Sequence, residues 1–205
     1  MKRILLCAFD PFGGESINPA LEAVRSVKFD GAEIEKCEVP TVFYKSVEVV
    51  LSKIAELSPD AVVMIGQAGG RDKITPERVA INLSDARIAD NEGNIPCDEP
   101  IVPGAPTAYF SSLQIKEIVR VLGEHGILSA VSNSAGTFVC NHLMYGVLHY
   151  IAERGLNCVA GFIHIPFLPE QVDGKEGIAS LPLELDVRAI ELALGVILKQ
   201  ILEEN

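Results

Sequence analysis

Apolar residues fall into two kinds of run along this chain. One kind is short and continuous: Ile4 to Phe9, Ala61 to Ile65 and Cys158 to Ile165 are almost wholly apolar, and Asp10-Pro11, Gly66 and Pro166 close them. Such runs suit strands covered on both faces. Ala32 to Val39 alternates more weakly before Pro40 and reads as a further strand. The other kind repeats at helical spacing. Val47, Val50, Leu51, Ile54 and Leu57 mark a helix within Phe43 to Leu57 that Ser58-Pro59 stops, and Ile190, Leu194, Ile197 and Ile201 line one face of a last helix from Asp186 to Leu202. Asn18-Pro19 reads as an N-cap and first-turn proline opening a helix to about Ser26, and another spans Ser112 to Leu122, ending at Gly123 or Gly126. Strands alternating with helices predict an α/β fold on a mainly parallel sheet with helices on both faces.

Three stretches depart from this alternation. G-Q-A-G-G-R-D-K-I-T-P-E-R-V-A-I-N after the third strand is glycine-rich, yet it carries neither phosphate-loop spacing, and it leads into a possible strand near Val79 to Leu83. Ser84 to Pro106 holds four prolines among polar residues and predicts a long irregular excursion, of the kind that is functional, mobile or merely connecting. Ser129 to Tyr150 reads as strand, small-residue turn and helix, with Cys140 in the helix's opening turns.

The 205 residues suit one domain spanning 1–205. A net charge of -11 and scattered Lys and Arg exclude a nucleic-acid surface. The first apolar run breaks at Asp10 with no cleavage site after it, so the start reads as a strand; no membrane association and a cytoplasmic location are expected. Cysteines at 7, 37, 97, 140 and 158 form an odd set without metal-ligand spacing, so neither a disulfide framework nor a metal site is expected.

Cys140 carries the candidate chemistry. A thiol among the unpaired N–H groups of a helix start favours its thiolate, the nucleophilic form, although a buried cysteine can equally be a small core residue. Of the four histidines, His142 points to another side of the same helix, His149 lies too far along it, and His125 caps a helix end. His164 closes the strand that follows, at the carboxyl edge of the sheet where ligands bind in such folds, and so can meet Cys140. A third group should orient the imidazole. Asp10, Asp72, Glu77, Asp85 and Asp90 all lie in loops on that edge, and spacing does not choose among them. Phe9 and Phe12 flank a Pro-Gly turn there and either line a flat apolar slot or join the core.

These residues sit in long motifs: F-D-P-F-G-G, G-Q-A-G-G-R-D-K-I-T-P-E-R-V-A-I-N, D-A-R-I-A-D-N-E-G, S-A-G-T-F-V-C-N and G-F-I-H-I-P-F-L-P-E-Q, in that order. The sequence resembles the pyroglutamyl peptidase I family of cysteine peptidases over nearly its whole length. The resemblance implies a three-layer sandwich with a mixed sheet, like that of the nucleoside phosphorylases, and no cofactor. It implies Cys140 as nucleophile, His164 as base and acid, and Glu77 as the orienting carboxylate. It also implies Arg87 near the oxyanion, Phe9 and Phe12 around the lactam ring, and Asn18 and Gln67 near the substrate. Substrates would be peptides with amino-terminal pyroglutamate, and the assembly a homo-oligomer, commonly a tetramer. Ala89 stands where the family more often has proline, which bears on the stiffness of the Arg87 loop. Two other readings remain open: a phosphorylase-like enzyme using Arg71, Lys73, Arg78 and Arg87 around an anion, and a noncatalytic redox or binding protein using Cys140.

Overall fold

In the computed structural model, which describes residues 1–203, the chain runs β1 (Arg3–Phe9), α1 (Pro19–Ser26), β2 (Glu33–Val39), α2 (Lys45–Leu57), β3 (Ala61–Gln67), β4 (Thr75–Pro76) and β5 (Val79–Ile81), then β6 (Ala108–Phe110), α3 (Ile115–Glu124), α4 (Val139–Arg154), β7 (Val159–Ile165) and α5 (Leu183–Glu203). The three continuous apolar runs become β1, β3 and β7, adjacent in a five-stranded sheet of order β2-β1-β3-β7-β4, in which only β4 is antiparallel. Because side chains alternate across a strand, one parity faces each helix layer. Ile4, Leu6, Ala8, Val63, Ile65 and Ile163 pack with α1, α3 and α5. Leu5, Cys7, Phe9, Val62, Met64 and Phe162 pack with α2 and α4. This is the expected α/β architecture, with helices on both faces.

From β1 the chain passes to β2 on one side and returns to β3 on the other. The strand order therefore reverses between β1 and β3, and the position where ligands bind in such sheets lies beyond their carboxyl ends, beside Phe9 and Gln67.

Two expectations need correction. The extended stretch before the nucleophile helix is no full strand: it forms only isolated parallel bridges, Ile74 with Ser129 and Glu77 with Ser132, outside β4. Its small polar residues offer too little apolar surface for a strand covered on both faces, so it serves as an irregular edge. The strand expected near Val79 to Leu83 does form, as β5, and it pairs with β6 in a separate two-stranded ribbon. The final helix starts earlier than its apolar stripe, at Leu183.

Asp186, in the first turn of α5, is buried and neither carboxyl oxygen has a hydrogen-bond partner. Burial pushes its pKa up to about 8. The folded protein therefore keeps a proton that the unfolded chain releases, and stability falls as pH rises from the unfolded pKa towards the folded one. Below about pH 6.5 the lowered pKa values of His142 and His164 act in the opposite sense, since stability then rises with pH as the unfolded histidines lose their protons. Asp186 dominates between about pH 6.5 and 8, where wild type should lose roughly 2 kcal/mol by denaturant titration. Asp186→Asn should flatten that slope, and an unchanged slope would refute the assignment.

Candidate active site

Cys140 is the second residue of α4, whose N-cap, Phe138, makes no side-chain capping bond. Asn141 holds this helix start in place: its Oδ1 accepts from the Ile81 N–H at 3.0 Å, and its Nδ2 donates to the Ile81 and Leu83 carbonyls at 2.9 and 3.0 Å. The far end stops at Gly155, in the left-handed region with φ 59°.

His164 shares the parity of Phe162 on β7 and faces the α4 layer. Its register partner on β3 is Gly66. The Cys140 sulfur occupies the space this glycine leaves open: a Cβ built on Gly66 would lie 3.3 Å from Sγ and only 2.6 Å from the Phe162 ring. The Phe162 ring in turn packs against His164, with centroids 4.7 Å apart. Thiol and imidazole thus lie over neighbouring in-register positions on one face of the sheet. An alanine at 66 would have to displace a fully buried ring to fit.

Glu77 follows β4, which pairs antiparallel with β7 through Thr75 and His164. The carboxylate is fully buried, and its Oε1 accepts from His164 Nδ1 at 2.7 Å and from Arg71 Nη1 at 2.7 Å. Oε2 has no hydrogen-bond partner; the nearby Ser132 hydroxyl donates to the Ser134 carbonyl. Burial alone would push this carboxyl up, but His164, by hydrogen bond and charge, with help from Arg71, holds it below its usual value. Burial pushes the His164 imidazole down, and the pull from Glu77 only partly offsets this. At neutral pH the pair is accordingly carboxylate and neutral imidazole. With Nδ1–H given to Glu77, Nε2 is left as the proton acceptor.

The thiol differs from expectation. Burial pushes its pKa up to about 12, the Glu77 charge adds to the rise, and Arg71 and the residue's own amide oppose it. Cys140 keeps partial exposure, which lessens that desolvation. Desolvation outweighs the helix dipole here, so the resting sulfur is a thiol.

Phe9 is buried with its ring 6.3 Å from Phe162, while Phe12 is half-buried with its ring 6.2 Å from Phe138. Arg87 lies in the exposed loop and, with Asp85, Ile88, Gly136, Thr137 and Phe138, lines a cleft of about 660 Å³ before the α4 start. A groove of about 650 Å³ between α3 and α5 is on the opposite face of the sheet from Cys140. Asn18 is buried and committed to structure, its Oδ1 capping α1 through Ala20 N–H and its Nδ2 donating to the Asp10 carbonyl. Gln67 ends β3, and its Oε1 accepts from Gln171 Nε2 at 3.0 Å.

Sequence reasoning missed Arg71 as the partner of Glu77, Gly66 as the seat of the sulfur, and Phe138 as the ring facing Phe12. Only Gly66 left a signal, as the glycine ending an apolar strand. The four cations considered for an anion site do not act together. Arg71 is engaged by Glu77, Lys73 pairs with Asp72, Arg78 bonds Asn133, and Arg87 lines its separate cleft. The other histidines are placed as expected: His125 bonds the Val121 carbonyl at a helix end, and His149 meets Tyr109. Among the described residues, no three His, Cys, Asp or Glu side chains converge to hold a metal, and no helix is long and apolar enough to cross a membrane.

A model of the pyroglutamyl peptidase family matches residues 2–200. The pyrrolidone-carboxylate peptidase of Thermoanaerobacter sp. (strain X514) is 56% identical over 200 residues, covering 97% of this chain and 98% of its own length. Among solved structures, pyroglutamyl peptidase I of Bacillus amyloliquefaciens matches with a TM-score of 0.93 at 46% identity over 98% of each chain. A mutant pyrrolidone carboxyl peptidase from Pyrococcus furiosus matches with a TM-score of 0.93 at 43% identity, over 97% of this chain and 99% of that one. With a thiol, an imidazole and a carboxylate gathered at one sheet edge, the chain belongs to the pyroglutamyl peptidase family of cysteine peptidases.

Proposed function

We propose that this chain, as one peptidase domain, hydrolyses the amide bond after an amino-terminal pyroglutamyl residue through a thioester on Cys140. The observation that carries the reading is the buried 2.7 Å contact from His164 Nδ1 to Glu77, on the face of the sheet where the Cys140 sulfur sits over Gly66. His164 Nε2 takes the thiol proton as sulfur attacks the pyroglutamyl carbonyl. The imidazolium so formed is stabilised by Glu77 and gives its proton to the leaving amine. Water, deprotonated by the same imidazole, then cleaves the thioester and releases pyroglutamate.

The developing oxyanion faces the uncapped amides at the start of α4, including that of Cys140, and Arg87 supports it from the adjacent cleft. Phe9 and Phe12 bound the slot for the neutral lactam ring. Gln67 offers polar groups at the carboxyl end of β3, and Asn18 holds the Phe12 turn from beneath. The lactam carries no ammonium group, so an apolar slot with a few hydrogen-bonding groups suits it better than an acidic anchor would.

Rates on matched pyroglutamyl and prolyl anilides test the reading. A site built to bond the lactam carbonyl should favour pyroglutamyl by at least about 10³-fold in kcat/KM. Equal rates would refute it. On the same reading the active form is a homotetramer in the cytoplasm, to be checked by sedimentation of the purified protein and by cell fractionation.

A further inference from the structure

His142 follows Cys140 by two residues on α4, is buried, and takes no part in the acyl-transfer steps above. Both of its ring nitrogens are engaged. Nε2 accepts from the Tyr44 N–H at 3.1 Å, so it carries no proton. The proton of the neutral ring is then on Nδ1, which donates to Ser84 Oγ at 2.8 Å. Burial, which pushes its pKa down to about 4, keeps the ring neutral at pH 7.

The Tyr44 arm holds an unfavourable backbone. Tyr44 has φ 61° and ψ -52°, and the Lys45 N–H bonds the Phe43 carbonyl across it at 2.6 Å. This is a γ-turn of positive φ, which a residue with a side chain adopts only when its surroundings impose it. The bond to His142, the Tyr44 ring 4.7 Å from the imidazole, and Asp90, whose Oδ2 accepts from the Phe43 N–H, impose it here. The turn sets Phe43 edge-on to Phe138, with centroids 5.3 Å apart, and Phe138 faces Phe12.

The Ser84 arm reaches the same place by another route. Ser84 precedes Asp85, whose N–H bonds the Thr137 carbonyl at 3.0 Å and whose carbonyl accepts from Thr137 Oγ1 at 2.7 Å. Both arms therefore end on Thr137-Phe138, immediately before the first residue of the nucleophile helix. Neither arm touches His164 or Glu77.

We propose that His142, held as a neutral Nδ1–H imidazole between Tyr44 and Ser84, is a positioning residue that sets the Phe138 wall of the substrate slot and so governs substrate affinity without governing the thiol. The proposal rests on the reading of Cys140 as nucleophile and of the Phe12 side as the ring slot.

The test uses His142→Phe, His142→Gln and Ser84→Ala, each checked for native circular dichroism. For each, kcat and KM are measured on a pyroglutamyl anilide, together with the rate of Cys140 alkylation by iodoacetamide, a reagent too small to need the slot. His142→Phe should raise KM about tenfold or more while alkylation stays within about twofold of wild type. In His142→Gln the carbonyl can accept from Tyr44 and the amide can donate to Ser84, so KM should return towards wild type, with Ser84→Ala between the two. A folded His142→Phe with wild-type KM and only a lower Tm would overturn the proposal, because His142 would then be structural alone. Alkylation that slowed in step with KM would overturn it as well. If His142→Phe does not fold, Ser84→Ala decides: unchanged KM refutes the proposal, and raised KM with normal alkylation supports it. Failure of the wild-type enzyme to cleave the anilide would instead remove the underlying reading.

Discussion

Cys140→Ser should lower kcat on a pyroglutamyl anilide by about 10⁶-fold, the scale on which losing the nucleophile of a coupled catalytic unit acts. Serine is nearly isosteric and leaves the packing over Gly66 and Phe162 undisturbed, so the loss would be chemical. The sulfur lies where burial pushes a thiol up to about 12. It ionises only as His164 takes its proton, and a serine hydroxyl, a much weaker acid, asks more of the same base than the neutral His164 can supply. The pH profile carries the same argument. Because the thiol is not ionised at rest, the acid limb of kcat/KM should follow His164, whose pKa lies below the ordinary histidine value, so activity should rise with pH at a point below about 6.5. Retained turnover in Cys140→Ser, measured with the same anilide and thermal melt, would remove Cys140 from the mechanism.

Glu77→Gln should lower kcat by about 10³- to 10⁴-fold with little change in KM. The geometry separates charge from position. Both donors, His164 Nδ1 and Arg71 Nη1, reach the single oxygen Oε1, and a glutamine carbonyl can receive both. What is lost is the negative charge that stabilises the imidazolium, while Arg71 remains close and opposes it. The His164 pKa should therefore fall further, and the acid limb of kcat/KM should move to lower pH as the maximum drops. The new amide NH₂ would occupy the position of Oε2, which has no partner, at a stability cost of about 1–3 kcal/mol. A large fall in Tm without the shift of the acid limb would mean that Glu77 only supports the fold.

The strands β1, β3 and β7 were legible because being covered on both faces demands unbroken apolar runs, and runs this short, closed by Asp-Pro, Gly and Pro, are too brief for a buried helix. The same holds for α1, where Asn18-Pro19 opens the helix in the chain as in the structure. The edge of the sheet was not legible. β4 is two residues long and contains a proline, and Ser129 to Ser132 pairs only through isolated bridges, so neither has a pattern of its own. Glu77 depends on that edge. Its depth comes from β7 passing alongside, and nothing in T-P-E-R-V tells a buried carboxylate from the solvated Asp72 or Asp85.

The sequence by itself determined the alternation of strands and helices and the Cys140 helix start, and it placed His164, rather than the other three histidines, on the edge that Cys140 shares, because helical and strand periodicity decide which side chains can share an edge. The tertiary structure alone decided the rest. It seated the sulfur in the gap left by Gly66, buried Glu77 between His164 and Arg71, and brought Tyr44 and Ser84 to the two ring nitrogens of His142. It also made the thiol neutral, against the expectation from its helix terminus. Desolvation and hydrogen-bond partnership depend on which segments meet across the fold, and local sequence does not encode those meetings.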